Sequence, residues 1–179
     1  MVAGRPYRAD DPELVRERVR ARRLTARYAL ADPGDAAGRR AVLAELFAAV
    51  GASVEIEVPL HCDYGWNTTL GEGVYVNAGC AILDCARIEI GALTLLGPGV
   101  KLCAATHPVD PAERETGLES ALPIVLGRNV WLGAAVVVGP GVTIGDGSVI
   151  GAGSVVLADV PAGVLAAGTP CRVVRELTA

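Results

Sequence analysis

Aliphatic residues return every six positions over much of this chain. Leu70, Val76 and Ile82 form one run, and Ile90, Leu96 and Leu102 form a second, two residues out of step with the first. Leu126, Leu132, Val138, Ile144, Ile150 and Val156 form a third. The residue after the aliphatic is glycine in eight of these twelve repeats, at positions 71, 91, 97, 127, 133, 139, 145 and 151. Four residues after each aliphatic comes a small or β-branched side chain: Val74, Cys80, Ala86, Thr94, Val100, Thr106, Val130, Val136, Val142, Ser148, Ser154 and Val160. A period of six fits neither an α-helix at 3.6 nor a half-buried strand at 2. It fits a β-helix, in which a short strand lies on each flat side of a prism and a tight corner leads to the next. In this reading the aliphatic points inward at the corner, the small residue fills the tapering interior, and the glycines supply unusual backbone angles. Three sides of six residues make a coil, and the beat implies roughly five coils, with weaker matches upstream at Val58 and Tyr64. A sandwich with glycine turns is the competing reading, and twelve matches at fixed phase argue against it.

The first fifty-one residues lack the beat. "DPELVRERVRARRLTARYALAD" opens with an Asp-Pro helix start and carries helix formers to Leu30. "PGDAAGRRAVLAELFAAVG" reads as a second helix closed by Gly51. Residues 1–51 therefore form a helical segment that covers the open end of a β-helix spanning 52–161, where bare strand edges would invite aggregation. The beat ends after Pro161, and residues 162–179 read as a short tail.

The beat also breaks once inside. After His107 it is silent for eighteen residues, 108–125, and the positions due to be aliphatic hold Pro108, Arg114 and Ser120. The phase resumes at Leu126. This stretch is expected to leave the prism as a loop. So long an excursion in a compact domain is usually functional, and it starts beside one of only two histidines in the chain.

Composition narrows the class. Hydrophobic residues make up 51% but aromatics only 4%, so the core is built from Val, Ile, Leu and Ala. Twenty-two glycines and eleven prolines imply many turns. The net charge of −4 and a pI near 5.2 argue against a general nucleic-acid binder. "RERVRARRLTAR" reads as a solvated helix face, with an anion or membrane patch the lesser reading. "MVAGRPYRAD" has no apolar leader, and no apolar run approaches the ~20 residues that span a bilayer. Five cysteines without a Cys-x-x-Cys pair suit a reduced, cytoplasmic protein with buried thiols. No metal is expected, because two histidines and scattered cysteines lack ligand spacing.

"YRADDPEL", "HCDYGWNTTLGEGVYVNAGCAILD", "ATHPVD", "LPIVLGRNVWLG", "PGVTIGDGSVIGAGSVV" and "AGTPCRVVREL" together resemble the maltose and galactoside O-acetyltransferases, members of the hexapeptide-repeat acyltransferases. The resemblance runs nearly the whole length of the chain. It implies a left-handed parallel β-helix, assembled as a homotrimer, that moves an acetyl group from acetyl-CoA to a sugar hydroxyl at sites between neighbouring subunits. It implies that His107 is the general base, a role imidazole suits because its ordinary pKa lies near neutrality. A loop histidine that only fixes the chain's exit is the alternative. Asn77 is carried over as a catalytic-region and acceptor-site residue. It replaces a corner glycine, where asparagine also tolerates left-handed φ. Asp10, Asp63, Tyr75, Asp84 and Glu119 are carried over as acceptor-binding groups; Asp10 also reads as a helix-start residue and Glu119 as a solvated carboxylate. Trp131, Ala134 and Ala152 are carried over to the CoA groove, and Arg172 and Arg175 to the nucleotide phosphates. His61 reads as structural.

Three departures bear on the acceptor and on CoA. Leu157 and Ala158 stand where the family often has Thr-Lys. Asn77-Ala78-Gly79 lacks a second polar group, and Cys85 stands where some relatives carry a second aspartate. An O-acetyltransferase for antibiotic hydroxyls and a non-catalytic β-helix scaffold remain as alternatives. A γ-type carbonic anhydrase needs three metal-binding histidines per chain, one more than this chain has.

Overall fold

The structure is a computed structural model that describes Met1 and residues 4–177. Helix α1 spans Pro12–Leu30. Its N-cap is Asp11, whose carboxylate accepts from the amide of Glu13. Helix α2 spans Ala36–Leu46 and is capped by Asp35. It ends at Leu46 rather than at Gly51, because the chain is already extended at Phe47 and enters its first rung at Ala49–Val50. Leu24, Tyr28, Val42, Leu43, Leu46 and Phe47 are buried in the same core as Ile56 of the first coil. The Tyr28 hydroxyl donates to the carbonyl of Ile56 (2.8 Å), and the Arg39 guanidinium lies 4.1 Å from the Tyr28 ring centroid. The helices thus close one end of the prism.

The rest is a parallel β-helix with three faces. Face I stacks Ala49–Val50, Thr68–Leu70, Ile88–Ile90, Ile124–Leu126 and Thr143–Ile144. Face II stacks Glu55–Ile56, Tyr75–Val76, Leu95–Leu96, Trp131–Leu132, Val149–Ile150 and Val164–Gly168. Face III stacks His61–Cys62, Ala81–Leu83, Lys101–Cys103, Val137–Val138 and Val155–Val156. All twelve aliphatics of the beat are buried, and like stacks on like: Leu70 pairs with Ile90, and Ile90 with Leu126. Each such burial contributes about 1.5–3 kcal/mol. The aliphatics lie on the strands rather than at the corners. The first coil runs through Val50, Ile56 and Cys62, so Val58 and Tyr64 are not in phase. The C-terminal stretch is more than a tail. Val164–Gly168 adds a sixth rung to face II, and Cys171–Glu176 folds back antiparallel on it.

The repeat glycines work differently from the sequence expectation. Left-handed residues fall three positions after the aliphatic, where non-glycine residues also occur: Leu93 (φ 62°), Asn129 (φ 54°) and Ala135 (φ 57°). The glycine directly after the aliphatic is needed for close stacking. A Cβ on Gly91 would sit 2.4 Å from the carbonyl oxygen of Gly127 in the next coil.

The three corners differ. The corner from face III to face I is the irregular one. It holds two extra residues after Cys62, two more after Ile82, and the whole excursion after Cys103. Asp84 sits inside it, fully buried, although the sequence resemblance assigned it to the acceptor. Its carboxylate accepts from the Tyr64 amide (2.8 Å) and the Thr68 hydroxyl (3.0 Å), and its own carbonyl accepts from the Asn67 side chain (2.7 Å). Burial raises its pKa, and these donors oppose the rise. Asp84 therefore pins the widened corner and presents no oxygen to a ligand.

The stacking sets which substitutions the prism tolerates. Gly91→Ala destabilises by about 3 kcal/mol, because the obstacle is backbone. Gly147→Asn costs under about 1 kcal/mol, because its Cβ meets nothing within 4 Å and asparagine tolerates φ 68°; chemical denaturation of both variants checks the contrast. Asp84→Ala strands the Tyr64 amide and the Thr68 hydroxyl and costs about 3 kcal/mol, measured in the same way.

Candidate active site

The chain leaves the prism at Ala104, sooner than the beat suggested. Ala105–Thr106 no longer stacks on a face. It pairs antiparallel with Leu118–Ala121, matching Ala105 to Ala121 and Thr106 to Ser120. Between these strands lies the short helix α3, Pro111–Glu115, capped by Asp110. The chain rejoins face I at Ile124, opposite Ile88, rather than at Leu126. The excursion expected over 108–125 is thus a hairpin with its own hydrogen bonds. His107 lies just past its first strand and is not the last residue of a regular coil.

The hairpin gains a third strand from the far end of the sequence. Tyr7–Arg8 pairs antiparallel with Leu118–Ala121, setting Tyr7 opposite Glu119 and Arg8 opposite Leu118. The Tyr7 hydroxyl donates to Glu119 Oε2 at 2.9 Å. The other carboxylate oxygen, Oε1, lies 3.9 Å from His107 Nε2. The His107 side chain is 59% exposed and Glu119 only 19%. Burial pushes the Cys85 thiol up to about 11, so it stays protonated at neutral pH. Asp63, largely covered, lies 3.3 Å from His61 Nε2 at the same corner. His107, Glu119 and Asp63 therefore gather on the III-to-I side of the prism, and Tyr7 and Cys85 join them. Tyr7 was not anticipated. A pairing across 112 positions leaves no trace in a single sequence.

Other candidates lie elsewhere. Asp10 is held by Arg8 in an exposed ion pair, and that hydrogen bond keeps its carboxyl below the usual range. Tyr75 points outward from face II, where it starts an apolar column with Leu95, Trp131, Val149 and Leu165. Trp131 is 53% exposed. Asn77, Ala134 and Ala152 stack along the corner from face II to face III, linked by backbone bonds such as Gly99 to Ala78, Ala135 to Pro98 and Gly153 to Ala134. Asn77 has no left-handed φ; its Oδ1 accepts from the Ala78 amide (2.8 Å). The closing turn around Thr169 stacks on this corner, its hydroxyl donating to Gly153 (3.4 Å), and Arg172 follows it. Arg172 and Arg175 are exposed. Leu157 and Ala158 fall back on the III-to-I side. One chain thus carries two separate edges: an acidic, histidine-bearing one and a small-residue one lined by main chain. Among the described residues no three His, Cys, Asp or Glu side chains form a metal-binding group. No described helix is long and apolar enough to cross a membrane.

Known proteins share this fold. The maltose acetyltransferase hexapeptide capping motif matches residues 1–51, and the bacterial transferase hexapeptide motif of six repeats matches residues 123–158. A maltose O-acetyltransferase from Clostridium difficile 630 is 40% identical, with 99% of this chain and 95% of that one covered at a TM-score of 0.96. A galactoside acetyltransferase in complex with coenzyme A is 40% identical, over 98% and 88% of the two chains, at a TM-score of 0.94. A hexapeptide-repeat acetyltransferase from Vibrio cholerae O1 biovar eltor, complexed with acetyl coenzyme A, is 35% identical over 100% and 97%, at a TM-score of 0.93. With its helical cap, its six-residue coils and its hairpin at His107, the chain belongs to the hexapeptide-repeat acetyltransferases of the maltose and galactoside O-acetyltransferase type.

Proposed function

We propose that the protein moves the acetyl group of acetyl-CoA to a hydroxyl of a sugar-like acceptor, with His107 as general base, at sites shared between subunits of a homotrimer. The observation that carries this reading is the division of the chain into two edges. The histidine edge offers a base and two carboxylates, Glu119 and Asp63, for a polyhydroxylated molecule. The II-to-III edge offers small side chains and stacked main chain, at Ala134 and Ala152, for a long thin ligand. In one chain the two lie at opposite ends of the face III strands. A threefold arrangement sets the histidine edge of one subunit against the small-residue edge of the next. The apolar column through Leu95 and Trp131 on face II supports assembly, since so much exposed apolar surface is uncommon on a lone subunit.

The chemistry is direct transfer. His107 takes the proton of the acceptor hydroxyl as its oxygen attacks the thioester carbonyl. The carbon–sulfur bond breaks, and the proton returns to the departing CoA sulfur. Glu119 stabilises the imidazolium formed on the way. Asn77 is assigned to the acyl side of the site, Trp131 to the groove wall, and Arg172 and Arg175 to the CoA phosphates. Tyr75 and Asp10 remain assigned to the rim of the acceptor site, Tyr75 from the neighbouring subunit. Five unpaired cysteines fit a reducing, cytoplasmic setting.

A panel of sugars and antibiotic hydroxyls with acetyl-CoA, read by free-thiol release, identifies the acceptor. His107→Ala is expected to fold and assemble normally but to lose about 10³-fold or more in kcat; near-normal turnover would remove the general base. Mixed subunits test the shared site. His107→Ala and Ala152→Glu should each be inactive alone. After refolding together they should regain activity, because some interfaces then pair an intact histidine edge with an intact small-residue edge. No recovery in trimers shown to be mixed would place the whole site in one chain.

A further inference from the structure

We propose that Tyr7 is a positioning residue for this site: its hydroxyl fixes the Glu119 carboxylate so that the free oxygen faces His107. The proposal rests on the reading of His107 as the base. A phenol carries one proton, and here that proton goes to Glu119 Oε2 at 2.9 Å. Tyr7 is 8% exposed, so water does not compete freely for it.

The consequence lies at the other oxygen. Glu119 has three rotatable side-chain bonds, and strand pairing alone does not decide which oxygen points where. With Oε2 held, Oε1 stands 3.9 Å from His107 Nε2. That is too long for a hydrogen bond and short enough to stabilise a positive imidazole. As general base, His107 gains that charge when it takes the acceptor's proton, so the benefit falls on the transition state. A carboxylate free to turn toward water loses it.

The strand itself has a second fastening. Arg8 Nη1 donates to the Thr116 carbonyl at 2.8 Å, without touching Glu119. Holding the hairpin and aiming the carboxylate can therefore be separated by mutation.

The experiment compares Tyr7→Phe, Glu119→Ala, the double variant and Arg8→Ala on the best acceptor of the panel. Tyr7→Phe removes one oxygen and keeps the ring. Its kcat is expected to fall about tenfold, with the KM for acetyl-CoA and the melting temperature little changed. Glu119→Ala falls at least as far, and adding Tyr7→Phe to it costs nothing more, because nothing is left to aim. Arg8→Ala speeds amide exchange in the hairpin but loses less kcat than Tyr7→Phe. Additive losses in the double variant would overturn the proposal. So would wild-type kcat in Tyr7→Phe, or an equal loss in Arg8→Ala, which would make Tyr7 a clip for the hairpin. A wild-type protein that releases no thiol with any acceptor overturns the acetyl-transfer reading first and this proposal with it. An active wild type beside an unaffected Tyr7→Phe overturns this proposal alone.

Discussion

Parallel coils stacked about 4.8 Å apart leave little room between one coil and the next, and this spacing governs what the chain can do. Gly91 shows the tolerance: the carbonyl of Gly127 stands where its Cβ would go. An insertion on a face would shift every strand above it out of register and turn its aliphatics outward. Additional chain can leave only at a corner. It does so at the same corner three coils running, after Cys62, after Ile82 and after Cys103. The first two insertions widen the prism locally and the third departs altogether. The histidine is held where the scaffold is locally released from its repeat.

That corner needs internal support, and Asp84 supplies it. A buried carboxylate is costly without partners, yet this one gathers the Tyr64 amide and the Thr68 hydroxyl from the coil before it. The widened turns are thereby tied together by side-chain hydrogen bonds where the ladder of the faces is missing. The hairpin that carries His107 is fastened from outside by the strand Tyr7–Arg8. The helical cap thus has two roles, since the segment that leads into it also reaches the site.

The repeating part of the fold was legible because each coil states the same rule. Leu126, Leu132 and Val138 mark buried positions as plainly as Leu70 and Val76 do. The reason for the glycines was not legible. In a sequence, a glycine directly after the aliphatic and a glycine three places after it read as the same turn signal. The structure separates them: Gly127, at the first place, permits close approach between coils, whereas Asn129, at the third, takes the left-handed backbone. His107 and Glu119 were singled out by the motifs that hold them, and the structure brings the two side chains within 3.9 Å. Asp84 was misplaced because an aspartate beside a corner reads the same whether it faces ligand or core. Tyr7 could not be found at all, since its meaning depends on a strand pairing with no local signature.

In the proposed trimer the two edges would also differ in how freely they vary. The small-residue edge at Ala134 and Ala152 is part of the repeat itself, its main chain bonded from coil to coil. The histidine edge is built from insertions that the stacking does not police. Cys85 illustrates the freedom. It sits buried beside Asp84 in a widened turn, neutral rather than charged, where some relatives carry an aspartate. In the proposed trimer each acetyl donor groove would be held to a common form while the facing corner varies. On the proposed reading, such a scaffold changes the hydroxyl it serves by changing one corner and keeps the thioester chemistry constant.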